Sequence, residues 1–449
     1  MITAPSTALT RRVAQFVSDT DVSDIPAPLF EHAKVAFMDW LAVTLAGRHE
    51  PLVEILLRLA RHLGGKEQAT VLGFGTKTSV AQAALINGSA SHALDYDDSL
   101  EAFLGHPSVT LFPGLLAMAE HRQTAGREFL AAYILGLQAG AAIGSSAGMK
   151  HYMNGWHATS TIGHLASAAA NARLLGLDAT ATAHALGIAG TQAGGLKRVF
   201  GTMCKPFHAG RASEAGVIAA LLAADAFTSA EDILEGPFGF FQVLNGEGNI
   251  APIDALGSRW AIENLAQKYH ASCHATHSAI EAVLAIRDDH ALVPGDVAGI
   301  EILVSQLAVD AAGQLQPTTG LAGKFSIPYC VANALLRGDT GVQAFTDERV
   351  NAPDVQAFMR TVSVAISPEF KTLEATASVR TTGGAAYAAT ANILKDIPPF
   401  DAKRSKIEAK FTDLCAAELG VAKAEALLQA IRRMDTLRDM GDIVALASG

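Results

Sequence analysis

The sequence predicts a mainly α protein: a large all-helical domain, discontinuous in sequence, with a small α+β domain inserted into it. Three observations carry that expectation. The 449-residue chain is 50% hydrophobic but only 17% charged and 6% aromatic, so its interior is built from Ala, Leu, Val and Gly, as in closely packed helices and unlike a disordered chain. Residues 9–266 run as successive apolar segments broken by Gly, Pro and Asn at helical lengths of about 12 to 20 residues. Period-two alternation replaces this pattern after Lys268, and the helical pattern returns near residue 398.

Taken in order, helices are expected at 28–46, 52–63, 80–94, 113–124, 128–144, 161–174, 179–187 and 212–224, each ended by a Gly, a cap residue or a polar break. No long repeat emerges, so a solenoid is excluded. The charge-free stretch 129–149 is long enough on paper to span a bilayer. It is bounded by Glu128 and Lys150 and holds Gln138 with Gly136, Gly140 and Gly144. Lacking basic flanks and aromatic belts, it reads as a buried helix whose glycines let neighbours approach, and no membrane partner is expected.

The inserted domain spans 268–395. A helix at 276–288 precedes the β-branched alternating run 297–305, and strands follow at 362–366 and 375–381, with helices at 327–336 and 354–359 between them. Helices at 404–418, 422–433 and 440–447 then return, so residues 396–449 are expected to pack with 1–267.

A net charge of −10 without any sizeable Lys/Arg cluster argues against a nucleic-acid partner. Four separated cysteines with no CxxC fit a reducing compartment. The first twenty residues lack the apolar core of a signal peptide, and a cytoplasmic location is expected.

Five segments carry chemistry. The first, His92-Ala-Leu-Asp95-Tyr-Asp97-Asp98-Ser99 followed by Gly105-His106-Pro107-Ser108, groups carboxylates, a hydroxyl and imidazoles that could serve as acid and base; the plain alternative is that Asp97, Asp98 and Ser99 cap helices. His157, before an Ala/Gly-rich helix, suits an anion at a helix N-terminus. Lys205, His208 and Arg211 put three potential cations where another helix opens, either a carboxylate or phosphate site or a solvated edge.

The fourth segment, Lys268-Tyr-His270-Ala-Ser-Cys273-His274-Ala-Thr-His277, could line one helical face with zinc ligands. With no carboxylate nearby to orient the imidazoles and Lys268 adding positive charge, it reads instead as a cationic, substrate-facing cluster, and no metal is expected. In the fifth, Lys324 and Tyr329 precede an apolar helix. Gly144-Ser-Ser146-Ala-Gly148 matches a nucleophile elbow only nominally, since no strand precedes it. No nucleotide-binding loop is present, so no cofactor is implied.

These segments in this order resemble the MmgE/PrpD family over essentially the whole chain: HALDYDDS with GHPS, the GWH segment, KPFHAGRASEAG, SCHATHS after Lys268, and GKFSIPY. The resemblance implies a helical domain with an α+β lid, and site residues Asp95, Ser99, His106, His157, Lys205, His277 and Tyr329. It implies a cofactor-independent lyase on a di- or tricarboxylate, of the kind that decarboxylates cis-aconitate or dehydrates 2-methylcitrate. An epimerase acting beside a carboxylate, as on iminodisuccinate, is the alternative, and a non-catalytic binding protein the third. All the catalytic routes build negative charge next to a carboxylate, which Lys205, His157, His277 and Lys324 could stabilise. The substrate is then a small anionic carboxylate. A homodimer is expected from the family and from an Ala/Gly-rich helical surface.

Overall fold

A computed structural model describes residues 8–244 and 248–448. Among the described residues it holds 21 α-helices and six strands. The chain divides into two compact units: Met1–Ala93, Asp97–Gln267 and Phe400–Gly449 form the first, and Leu94–Tyr96 with Lys268–Pro399 the second.

The first unit opens with Leu9–Asp19 (α1), Ala27–Gly47 (α2) and Pro51–Leu63 (α3), then a short hairpin of Ala69–Val71 (β1) and Thr76–Thr78 (β2). Val80–Ala93 (α4), Ser108–Arg122 (α5), Gly126–Ala147 (α6), Met149–Met153 (α7), Ala158–Leu174 (α8), Ala179–Gly190 (α9) and Cys204–Ala224 (α10) follow. α1 and α3 are amphipathic and bury one stripe each, whereas α2, α4, α6 and α8 are apolar around most of their circumference and lie inside the unit. α6, the segment of membrane-spanning length, buries every residue except Arg127, Glu128 and Ser145. A Cβ on Gly136 would stand 2.5 Å from that of Ala170, and one on Gly144 3.0 Å from the Phe103 Cα, so these glycines do admit close neighbours.

The helix Phe400–Leu419 packs on α2 and carries Lys410 to Asp39, a buried ion pair at 2.6 Å. A second long-range tie runs from Lys34 on α2 to Asp435 at 2.6 Å.

In the second unit, Val297–Val304 (β3), Val362–Ile366 (β4), Glu374–Thr381 (β5) and Ala386–Asn392 (β6) form one sheet in the order β4-β3-β5-β6. The β3–β4 pair is parallel and the others antiparallel. Helices His274–His290 and Ile327–Arg337 cover it: Ala275, Ala279, Val283 and Ile286 with Val331 and Leu335 pack on Ile300, Ile302, Ala377 and Val379.

Several elements depart from the sequence reading. α5 starts at Ser108, not 113, because Pro113 is accommodated inside the helix. α10 begins at Cys204, so Lys205, His208 and Arg211 sit within its first turns, where Pro206 loses no intrahelical bond. β6 went unread since Ala-Tyr-Ala-Ala-Thr-Ala-Asn alternates with little hydrophobic contrast.

Candidate active site

In the helical unit the site is built where four elements end or begin. α4 delivers His92 in its last turn; the connection after Asp97 carries Asp98, Ser99 and His106; His157 is the residue before α8; and Lys205 with His208 opens α10. α4 and α10 can lie this close because Gly88 faces Gly210: a Cβ on Gly88 would be 2.8 Å from the Gly210 Cα. The residue before α8 is held by the His157 amide donating to the Gly195 carbonyl at 2.9 Å, and the His106 amide donates to Thr159 Oγ1 at 3.1 Å in the first turn of α8.

Asp97 is fully buried between two imidazoles. Its Oδ1 accepts from His92 Nδ1 at 2.9 Å, and its Oδ2 lies 3.0 Å from His106 Nδ1. His106 Nδ1 gives its hydrogen to the Asp98 carbonyl at 2.8 Å, so Oδ2 makes only a second, weaker contact with the same N–H. Burial pushes the Asp97 carboxyl up, but His92 and His106 outweigh it and hold the group well below the usual carboxylate range. The reading of these acids as caps holds for Asp98 alone: it accepts from the amide of Ser108, the first residue of α5, at 3.3 Å. Burial and the neighbouring Asp39 raise its pKa.

The His92 ring lies tilted against His106 and stacked near His157, at centroid distances of 4.7 and 6.2 Å. Burial pulls His92 down to about 4 against the opposing effect of Asp97. His157 falls well below the imidazole range through burial first, then through His92, Lys205 and His208. Its Nδ1 is 3.0 Å from His208 Nδ1, so one ring donates and the other accepts. His208 is partly buried, which lowers its pKa too. Lys205, 7% exposed, lies 5.5 Å from the centre of the Phe200 ring. The arrangement is a basic cluster in which burial favours the neutral form of His92, His157 and His208, rings that can take or give one proton.

The structure therefore brings together His106, His157, Lys205 and His208 of the sequence-predicted residues. Ser99 joins the same unit through a two-way backbone bridge to Ala266 at 2.9 Å. Arg211 is exposed and paired with Glu214, which fits the solvated-edge reading better than substrate binding. His92 and Asp97 were quoted in the first segment but not selected; the signal was present as a histidine and an aspartate five residues apart.

The second unit holds its own cluster. Asp95 takes a left-handed backbone with φ 53°, and its side chain and carbonyl accept from the buried Lys268 Nζ at 2.8 and 2.7 Å. Lys324 Nζ donates to the Leu94 carbonyl at 2.7 Å, and Tyr96 donates to that of Tyr269 at 3.1 Å. The helix begins at His274, so His270 and Cys273 precede it and the four-ligand helical face does not form. A carboxylate does reach this run, contrary to the sequence reading: Glu281 Oε1 meets His270 Nε2 at 3.1 Å, one turn beyond His277. His277 Nε2 donates to the Ser272 carbonyl at 3.2 Å, leaving Nδ1 as its acceptor nitrogen. Burial, then His274, His270 and Lys268, push His277 well below the imidazole range. Tyr329 is buried, donates to the Ala344 carbonyl and is raised by burial.

His92, Asp97 and His106 present ligand atoms within 4.8 Å of one another, a spacing a divalent ion can use. As arranged, both Nδ1 atoms turn to oxygen acceptors, so a histidine ligand to an ion would be Nε2 unless these hydrogen bonds broke.

Sequence comparison places this geometry in context. The MmgE/PrpD N-terminal domain model matches residues 11–253 and the MmgE/PrpD C-terminal domain model residues 270–436. The cis-aconitate decarboxylase-like protein oryM of Aspergillus oryzae is 27% identical, with 99% of this chain and 98% of the relative covered. The cis-aconitate decarboxylase of Aspergillus terreus is 28% identical over 81% of this chain and 79% of its own, and that of Homo sapiens 25% identical over 98% and 95%.

Proposed function

We propose, because this chain belongs to the MmgE/PrpD family, that it is a cofactor-independent lyase that decarboxylates an unsaturated tricarboxylate of the cis-aconitate type. The observation that carries this reading is the near full-length similarity to proteins named for that reaction. The buried basic cluster on α4, α8 and α10 supplies chemistry that suits it.

Decarboxylation breaks a carbon–carbon bond, releases CO₂ and leaves the electron pair on the substrate, spread into the neighbouring unsaturation and carboxylate. A proton must then replace CO₂. In the proposed scheme Lys205 holds a substrate carboxylate whose partner charge grows in the transition state. His106 works through Nε2, because its Nδ1 hydrogen is committed to the Asp98 carbonyl. His157 exchanges its proton with the partly exposed His208, a route by which a buried imidazole is recharged between turnovers. His277→Ala tests whether the second unit's histidines take part.

The test is a substrate panel of cis-aconitate, citrate, 2-methylcitrate and chiral amino-dicarboxylates, followed by CO₂ release, ultraviolet absorbance and loss of optical activity, with and without exhaustive chelation. CO₂ from cis-aconitate that survives chelation supports the reading. Loss of water from citrate or 2-methylcitrate, or racemisation without CO₂, replaces it with the dehydratase or epimerase reading.

A further inference from the structure

We propose that Asp97 is a positioning residue: its carboxylate fixes His92 as the Nδ1–H tautomer and flanks His106, which the Asp98 carbonyl fixes likewise, so that each ring presents Nε2 as its reacting nitrogen. For His106 the proposal deepens the decarboxylase reading above and rests on it; the tautomers themselves do not.

The argument is one of donors and acceptors. A carbonyl oxygen and an ionised carboxylate only accept hydrogen bonds. His106 Nδ1 faces two such groups, the Asp98 carbonyl at 2.8 Å and Asp97 Oδ2 at 3.0 Å, and therefore carries the hydrogen. His92 Nδ1 faces Asp97 Oδ1 at 2.9 Å and must do the same. Nε2 is thereby the basic nitrogen on both rings.

Asp97 has no other evident task. It caps no helix, and a carboxylate buried this fully is costly unless its partners are fixed. The two rings it holds are 4.7 Å apart, and the His92 Nε2 is buried with no hydrogen-bond partner among the described residues. A buried acceptor left unpaired is destabilising unless something else comes to fill it. A substrate hydroxyl, a protonated carboxyl or a water carried in with substrate has the donor it lacks. His92, overlooked by motif reading, thus joins His106 as a ring whose Nε2 is kept open, here by the Asp97 carboxylate, the orienting logic of a carboxylate–histidine pair.

The experiment uses the full-length protein labelled with ¹⁵N-histidine. Long-range ¹H–¹⁵N correlations at pH 8 report the tautomer of each ring, assigned by the signals lost in His92→Gln and His106→Gln. Nδ1–H is expected for both rings in the wild type; Nε2–H on either overturns the proposal without reference to any substrate. In Asp97→Asn, His106 should stay Nδ1–H through the Asp98 carbonyl while His92 shifts towards Nε2–H.

On cis-aconitate, Asp97→Asn should lower kcat about 10²-fold or more with KM changed less than about threefold. Combined with His92→Gln it should cost no more than His92→Gln alone, because His92 is the ring whose tautomer Asp97→Asn changes. Additive losses, or full activity in Asp97→Asn, contradict the proposal. A wild type with the expected tautomers but no turnover of cis-aconitate would sink the decarboxylase reading and leave the positioning claim standing. If Asp97→Asn does not fold, the wild-type spectrum decides alone.

Discussion

Lys205 is the side chain whose loss should be felt most in turnover and least in folding. It enters from the first turn of α10 and lies close enough to His92 and His157 to depress both imidazoles. Lys205→Ala should cut turnover on the order of 10² to 10³, about 3 to 4 kcal/mol of transition-state stabilisation, while the melting temperature moves by a few degrees at most. His157→Ala should behave similarly. His208→Asn should leave the first turnover nearly intact and slow the following ones, a difference that rapid-quench kinetics under single- and multiple-turnover conditions reads directly. His121→Ala, on the exposed end of α5 and outside the cluster, should be close to silent and serves as the control.

Much of this cluster was legible in the residues, because a histidine before a small-residue helix and a lysine opening another are local patterns. The pairing of Asp97 with two rings was not. It depends on the chain between α4 and α5 turning back on itself, which no spacing rule encodes. The local contacts of Lys268 and Lys324, both read as substrate-facing cations, were also not legible: Lys268 donates to residue 95 and Lys324 to residue 94 within their own unit.

At the level of elements, α4 and α10 owe their close crossing to glycine. A Cβ at Gly210 would drive into the Leu85 carbonyl and Ser89, and at Gly88 into Gly210 itself. Gly210→Ala should therefore cost about 1 to 3 kcal/mol by overpacking, seen as a lower urea midpoint with an unchanged m-value. It should also lower activity, since Lys205 and His208 ride on the same helix. Long apolar helices such as α2 and α6 were readable because so long a run of mostly apolar residues leaves few alternatives. β1, β2 and β6 were not: the first two are only three residues each, and β6 is Ala-rich. Each pairs with its neighbour in sequence, β1 with β2 and β6 with β5, and neither length nor alternation marks them.

For the whole molecule, buried neutral histidines predict acid sensitivity. His92 and His164 are buried and titrate at about 4 in the folded protein, burial being the main cause for both, against an ordinary value of 6.5. In the unfolded chain each ring takes a proton below 6.5, whereas in the fold neither does until about 4. Stability is thus full above 6.5 and declines as pH falls towards 4, on the order of 1 to 2 kcal/mol per ring by pH 5. Urea melts at pH 7.5 and 5.0 check it; equal midpoints contradict it. A homodimer is the proposed assembly, and light scattering at micromolar concentration should give about twice the chain mass of 46.7 kDa. The central claim is replacement of CO₂ by a solvent proton, and mass spectrometry of the product formed from cis-aconitate in D₂O tests it most directly. The account predicts a dicarboxylate lighter by CO₂ that carries one carbon-bound deuterium, formed in step with CO₂ release; recovery of a tricarboxylate, exchanged or hydrated but with all three carboxyl groups, would contradict it.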